Sequence, residues 1–254
     1  VIGELAAGGL RQVLLVTNRD KEVIERHLDA TYPSSDPVAE GDIRFLFTRQ
    51  PTPQGREKPM GTGDAIARAE EFVGDSSFVV AYGDSAIHSG PGPTLLQRLI
   101  ESHHLHQSAC TIAVYQVPPA QTNRYGIVIP ASPDDIVGGS ALSDILEQPA
   151  PEVTTSRWAV SARYVFSPAI FGQLRRVTAS PDGEIYITDA IRGLIREGLG
   201  VRAVFMNPQE RRFDIGSHRS YYEAFLYYAL ADGECGEELL QAMRNMVLPD
   251  DPKN

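Results

Sequence analysis

Cysteine is scarce, with two residues in 254, Cys110 and Cys235. Two thiols cannot build a disulfide framework, and no secretory signal pattern is visible, so a reducing cytoplasm is the expected compartment. No apolar run approaches the roughly 18–20 residues that a bilayer demands, which excludes a membrane-spanning helix. Positive charge is in deficit: 23 Lys and Arg against 33 Asp and Glu give a net charge of −10 and a pI near 5.1. Such a chain lacks the electrostatic footprint for a nucleic-acid backbone or an anionic membrane. Neither a Gly-x-Ser-x-Gly elbow nor a Walker A loop is present, so those hydrolase and P-loop classes fall away. A phosphorylated small substrate stays open, because a local site can be basic or filled by a metal.

Hydrophobic residues make up 42% of the chain, ordinary for a globular protein and enough for a sizeable core. No repeat appears and no linker is rich enough in Pro, Gly or Ser to mark a boundary, so one domain over 1–254 is expected. The chain opens at Val1 in what reads as a helix, stopped by Gly8-Gly9. Short apolar runs at 12–16, 43–47, 78–81 and 110–117 predict buried strands. Amphipathic stretches at 21–28, 62–72 and 95–106 predict the helices between them. This alternation predicts an α/β fold, a doubly wound, Rossmann-like mixed sheet with helices on both faces. After Val117 the rhythm shifts to strands at 125–129, 142–147 and 158–166 without regular crossovers. A helix at 188–197, a strand at 201–206 and helices at 217–231 and 236–246 complete the pattern.

Several constellations could carry chemistry. Gly61-Thr62-Gly63-Asp64-Ala65-Ile66 departs from the dinucleotide fingerprint, because Ile66 takes the third glycine position and a Pro-rich loop precedes it. It reads either as a glycine-rich helix entry or as a loop whose backbone N–H groups approach a nucleotide. Asp84 follows an apolar strand, where the carboxyl end of a parallel strand meets the ligand crevice; a turn cap is the plainer alternative. Asp214 sits in Phe213-Asp214-Ile215-Gly216, which also fits a common turn. Two such carboxylates could share one Mg²⁺, with phosphates completing the shell. His103, His104 and His106 lack the partners of a zinc site and read as the polar end of a helix. Cys110 opens an apolar strand and reads as core. Tyr221, Tyr222, Phe225, Tyr227 and Tyr228 wrap most of a helix, which suits packing against the sheet or a partner subunit.

In order along the chain, eight segments resemble the nucleotide-sugar pyrophosphorylase family, most closely the bacterial UTP–glucose-1-phosphate uridylyltransferases. Residues 1–29 are similar to its helix, strand and helix after the signature loop. Arg49-Gln50 and then Gly61 to Ile66 are similar to its Arg-Gln and Gly-Leu-Gly-His-Ala-Val, and the resemblance implies that Gln50 and Gly61 meet a uracil base. Phe78 to Asp84 resembles the strand ending in a metal-binding Asp. Tyr125-Gly126 resembles the Tyr-Gly against the sugar, and Leu146-Glu147-Gln148-Pro149 resembles Val-Glu-Lys-Pro, whose Glu binds sugar hydroxyls. Residues 159–165 and 183–191 resemble its Ala-Ile-Val-Gly-Arg-Tyr-Val and Glu-Ile-Gln-Leu-Thr-Asp-Ala-Ile. Asp214-Ile215-Gly216 resembles Asp-Cys-Gly, with the second metal aspartate.

The resemblance implies an enzyme that joins an NTP, UTP first, to a sugar 1-phosphate, glucose first, with Mg²⁺ on Asp84 and Asp214. It also implies a homodimer or homotetramer. Gly126, Glu147 and Gln148 are the implied sugar-phosphate residues. Three departures stand out. The family's N-terminal strand and Gly-x-Gly-Thr-Arg loop are not among these 254 residues, which implies catalytic sequence upstream of Val1. Gln148 replaces a lysine that contacts the sugar phosphate, a charge that Arg124, Arg157 or Arg163 could supply instead. Phe213 and Met60 replace polar or basic neighbours. The alternative function is a degenerate, non-catalytic paralogue that binds a nucleotide sugar or a partner subunit.

Overall fold

A computed structural model describes residues 1–18, 22–31, 43–132 and 139–247. Helix α1 (Ile2–Ala7) leads into β1 (Gln12–Thr17), α2 (Glu22–Thr31) and β2 (Arg44–Arg49). Next come α3 (Thr62–Ala67), α4 (Glu70–Val73), β3 (Phe78–Ala81), β4 (Ser85–His88) and α5 (Leu95–Leu105). Strand β5 (Cys110–Gln116), a 3-10 turn at Pro119–Arg124, β6 (Ile127–Pro130), β7 (Ser140–Leu146) and β8 (Trp158–Phe166) follow. The chain ends with α6 (Ala169–Leu174), α7 (Ile187–Arg196), β9 (Val201–Phe205), β10 (Arg211–Asp214), α8 (His218–Leu230) and α9 (Gly236–Val247). The described residues form two compact units, one within Val1–Tyr82 and Ser89–Glu210, the other from Gly83–His88 with the described residues after Glu210.

The larger unit holds a six-stranded mixed sheet in the order β3-β8-β5-β9-β7-β6. Only β5 and β9 run parallel within it; β8 is antiparallel to β3, β5 and β6. Residues 110–114 and 159–166 are buried without a break. Successive side chains of a strand face opposite ways, so both faces of the sheet centre are covered. Helix α5 packs against β5, β8 and β9, and α7 against β7 and β9. Helix α7 buries Ile187, Ala190, Ile191 and Leu194, the spacing of one helical face. Helix α5 starts at a capping box, Thr94 accepting from the Gln97 N–H while Gln97 accepts from the Thr94 N–H, and buries Leu95, Leu96 and Leu99 completely. Each such side chain contributes about 1.5–3 kcal/mol on burial.

The single continuous sheet expected from the alternation is corrected to three. Among the described residues β1 pairs only with β2, in parallel, and β4 pairs with β10 as an antiparallel ribbon in the smaller unit. Four-residue strands such as β4 carry too little periodicity to announce themselves. The helix expected over 62–72 is two, α3 and α4. At their junction the N–H groups of Arg68 and Ala69 bond three residues back, to Ala65 and Ile66, which tightens the turn and stops α3. The expected start of α2 at Lys21 lies outside the described residues. Cys110 is core, fully buried, and burial pushes its thiol well above the ordinary range.

One ion pair is locked inside the larger unit. Arg163 on β8 is wholly buried, and its Nε and Nη2 donate to Glu4 Oε1 and Oε2 at 2.9 and 2.7 Å. Nη1 donates to the Ala162 carbonyl at 3.0 Å, and Ala162 itself sits at φ +59°. The fork therefore ties α1 to β8. Removing one partner leaves a buried charge uncompensated, so Glu4→Ala is expected to cost about 3–5 kcal/mol, measured by urea unfolding. The double change Glu4→Leu with Arg163→Met should lose much less, because no orphan charge remains. Equal losses in the two proteins would show that the ion pair is not the cause.

Candidate active site

Three groups of the singled-out residues are brought together by the fold. In the first, Gln50 follows β2 and reaches the entrance of α3. Its Nε2 donates to the Gly61 carbonyl at 2.9 Å and to Asp64 Oδ2 at 2.8 Å. Gly61 lies at φ +89°, and a Cβ there would stand 3.0 Å from the Ile185 carbonyl oxygen. Glycine is therefore required on both conformational and steric grounds. The Gly63 N–H donates to the Ile185 carbonyl at 2.8 Å, and Ile185 N–H donates to the Met60 carbonyl at 2.8 Å. Of the loop's backbone N–H groups, that of Gly63 is therefore taken by Ile185. Met60, one departure from the family pattern, takes part through its backbone.

The second group surrounds Glu147, just beyond β7. Thr188, in the first turn of α7, donates to Glu147 Oε2 at 2.7 Å. Gly126 packs against that same threonine: a Cβ on it would lie 3.1 Å from Thr188 Cγ2 and 3.7 Å from Glu147 Oε2. Burial raises the Glu147 carboxyl above its ordinary range, the Thr188 hydrogen bond opposes this, and the charges of Asp189 and Glu184 add to it. Gln148 is exposed at φ +43°, and its N–H donates to the Tyr125 carbonyl at 3.1 Å. Of the arginines that could replace the family's lysine, Arg163 is consumed by Glu4. Arg157 donates to the carbonyls of Thr154 and Ser156 at 2.8 and 2.9 Å. Arg124 is exposed, with its guanidinium 5.8 Å from the Tyr125 ring centre.

The third group lies in the smaller unit. Strands β4 and β10 set Asp214 opposite Ser85, and the Ile215 N–H donates to the Asp84 carbonyl at 2.8 Å. Asp84 is therefore joined to the Asp214 turn by a ribbon that the sequence did not announce. Asp214 accepts from the Gly216 N–H at 3.0 Å, and Arg212 lies 3.6 Å from its other oxygen. Phe213, another departure from the family pattern, packs its ring on Tyr227 and Tyr228 of α8, at 4.8 and 5.7 Å. Among the described residues no group of three or more His, Cys, Asp or Glu could hold a metal. Asp84, in the turn before β4, and Asp214, at the end of β10, offer hard oxygens of the kind Mg²⁺ takes, which characteristically binds one or two carboxylates and leaves other positions to water and phosphate.

His103 is buried in the larger unit, 3.3 Å from Thr111 Oγ1 and 3.1 Å from Ser77 Oγ, and burial first, then His104, lowers its pKa. Residues that sequence reasoning passed over include Thr188, Asp64 and Glu4. Thr188 and Asp64 both lie in short motifs already singled out, 183–191 and 61–66, whereas nothing near Glu4 points to Arg163.

The nucleotidyl transferase family model matches residues 1–230. The chain belongs to that family. Among relatives of this nucleotidyl transferase, the UTP–glucose-1-phosphate uridylyltransferase of Pseudomonas aeruginosa is 31% identical over 233 residues, 88% of this chain and 81% of the relative. Enzyme 1 of that name from Streptococcus pyogenes serotype M1 is 30% identical, covering 94% and 80%. The UTP-bound UDP-glucose pyrophosphorylase of Acinetobacter baumannii is similar in structure at a TM-score of 0.78 and 30% identity, over 99% of this chain and 87% of that one. No described helix is long and apolar enough to cross a membrane.

The raised pKa of Glu147 has a consequence for stability. Folding favours the protonated form, so the native state holds the extra proton between the ordinary carboxyl range, near 4.5, and the raised native value. Stability contributed by Glu147 is thus greatest below that window and falls as pH rises through it. Glu147→Gln, which cannot ionise, should gain on the wild type across this window and keep the gain at pH 7. Urea unfolding of both proteins at pH 4 and pH 7 measures this, and a gap that does not widen with pH would contradict it.

Proposed function

We propose that this nucleotidyl transferase moves the uridylyl group of UTP onto glucose 1-phosphate, releasing pyrophosphate. The observation that carries this reading is the conjunction of the Gln50–Gly61 loop with the Glu147–Thr188 pair in a chain that matches uridylyltransferases over most of its length. A phosphate oxygen of the sugar 1-phosphate attacks the α-phosphorus in line, and the bond to the β-phosphate bridging oxygen breaks. No proton needs to be taken from the nucleophile, which is already anionic. Positioning and charge neutralisation therefore supply the acceleration.

In this reading Gln50 and Gly61 hold the base. Gly126 lets the sugar approach closely, Glu147 accepts from its hydroxyls, and Gln148 donates near its phosphate. Asp84 and Asp214 would hold Mg²⁺, which when bound neutralises phosphate charge. Thr188 fixes one Glu147 oxygen and leaves the other for substrate. Two free thiols, with no disulfide among the described residues, agree with work in the cytoplasm.

One observation favours a second reading. Gln148 is neutral where the family pattern has lysine, and of the three nearby arginines Arg163 is consumed by Glu4 and Arg157 bonds backbone carbonyls. A non-catalytic paralogue that binds a nucleotide sugar would tolerate this. Pyrophosphate release by the native protein from UTP and glucose 1-phosphate separates the two: none at saturating substrates and Mg²⁺ would overturn the first. Asp84→Asn is expected to lower kcat by at least about 100-fold, the size typical of a lost charge-stabilising group. Because Asp84 is exposed, the melting temperature should barely move. Unchanged turnover would remove Asp84 from the site.

The reading includes a homodimer or homotetramer. Helix α8 leaves Tyr221, Tyr222, Phe225 and Tyr228 between 40% and 59% exposed, an aromatic surface suited to a second copy. Light scattering of the native protein at micromolar concentration should give a mass above that of one chain; a monomeric mass would count against this assembly.

A further inference from the structure

We propose that Asp64 fixes the base preference of the site by holding the Gln50 amide in one orientation, the orientation that accepts from a pyrimidine N3–H. The proposal rests on the reading that the base lies against Gln50 and Gly61, and it adds a positioning residue to that reading. A carboxamide presents a donor and an acceptor of nearly equal shape, so only its partners decide which is which. Here both partners are acceptors: the Gly61 carbonyl at 2.9 Å and an Asp64 carboxylate oxygen at 2.8 Å. The Gln50 nitrogen must face them both. Its oxygen, Oε1, is turned the other way.

Gly61 alone would hold the amide by one neutral bond. Asp64 adds a charge-assisted bond and makes reversal unfavourable, since a turned amide would set Oε1 against a carboxylate and a carbonyl together. Asp64 is held in turn. Its Oδ1 accepts from Arg68 Nη2 at 2.9 Å, one helical turn on, and the neighbouring Gly63 is bonded to Ile185. The family segment that this loop resembles has histidine at the Asp64 position, and an imidazole could donate or accept. An ionised aspartate can only accept, so in this chain the direction of the amide is dictated.

Oε1 then offers lone pairs to the base. Uracil, whose N3 carries a hydrogen, donates to it. Cytosine, whose N3 is an acceptor, brings lone pair against lone pair. Discrimination of this kind depends on the amide being unable to turn.

Calorimetric titration of the native protein with UTP and with CTP tests this, using wild type, Asp64→Ala, Asp64→Asn, Gln50→Ala and the double variant Asp64→Ala with Gln50→Ala. The wild type should prefer UTP. Asp64→Ala should narrow the UTP-to-CTP affinity ratio by about 5- to 30-fold, as expected for losing the enforced direction of one hydrogen bond. Asp64→Asn keeps the shape and should narrow the ratio as well, because its amide can donate to a reversed Gln50. In the Gln50→Ala background, Asp64→Ala should change the ratio no further. An unchanged ratio in both Asp64 variants, with UTP and CTP affinities falling together, would overturn the proposal and leave Asp64 a purely structural role. So would an undiminished effect of Asp64→Ala in the Gln50→Ala background. A wild type that prefers UTP while either of these holds sinks the proposal alone; a wild type that binds neither nucleotide sinks the site reading and the proposal with it.

Discussion

Strand β8 is the constraint on which the larger unit depends. It runs nine residues, eight of them buried, and it is paired on both edges. One edge takes β5 along most of its length. The other takes β6 at its start, Ala159 opposite Ile127, and β3 at its end, Phe166 opposite Phe78. The positive φ of Ala162 falls between these two partners. Arg163 follows at once, and its bond to Glu4 draws α1 against the strand. A polar pair this deep is an expensive way to join two elements, since both charges give up water. It also fixes a direction, because the guanidinium fork accepts only one seating of the carboxylate.

The three groups differ in what holds them. Gln50, Gly61 and Asp64 are set by hydrogen bonds whose donors and acceptors admit one arrangement. Glu147 is set by burial against Thr188 and Gly126, and the raised carboxyl records the cost. Asp84 and Asp214 are set by a short ribbon, Asp84 exposed and Asp214 half-buried.

Much of this was legible in the sequence. The apolar runs became β1, β2, β3, β5 and β9 within a residue or two, since continuous burial leaves a continuous apolar string. The order of the motifs gave the family. Strands β4 and β10 did not show, because four residues such as Ser-Ala-Ile-His cannot distinguish strand from turn. Their pairing depends on segments more than 120 residues apart, which no local pattern encodes. Arg163 read as a spare cation for the sugar phosphate, since nothing in its neighbourhood announces that Glu4 neutralises it. Asp64 stood inside a motif whose glycines drew attention, and its importance lies in a contact with Gln50 fourteen positions earlier.

The segment from Ile185 to Thr188 joins two of the groups. At one end the Ile185 backbone holds Met60 and Gly63 beneath the base loop; three residues on, Thr188 holds Glu147. The two ends are only three residues apart, so on the proposed reading a displacement that re-aims Glu147 toward a different sugar also shifts the loop assigned to the base. The two preferences therefore cannot drift freely in a lineage. On the proposed reading, a descendant that changes its sugar by moving this segment must repair its base loop in the same step, whereas one that substitutes the exposed Gln148, outside the segment, escapes the constraint.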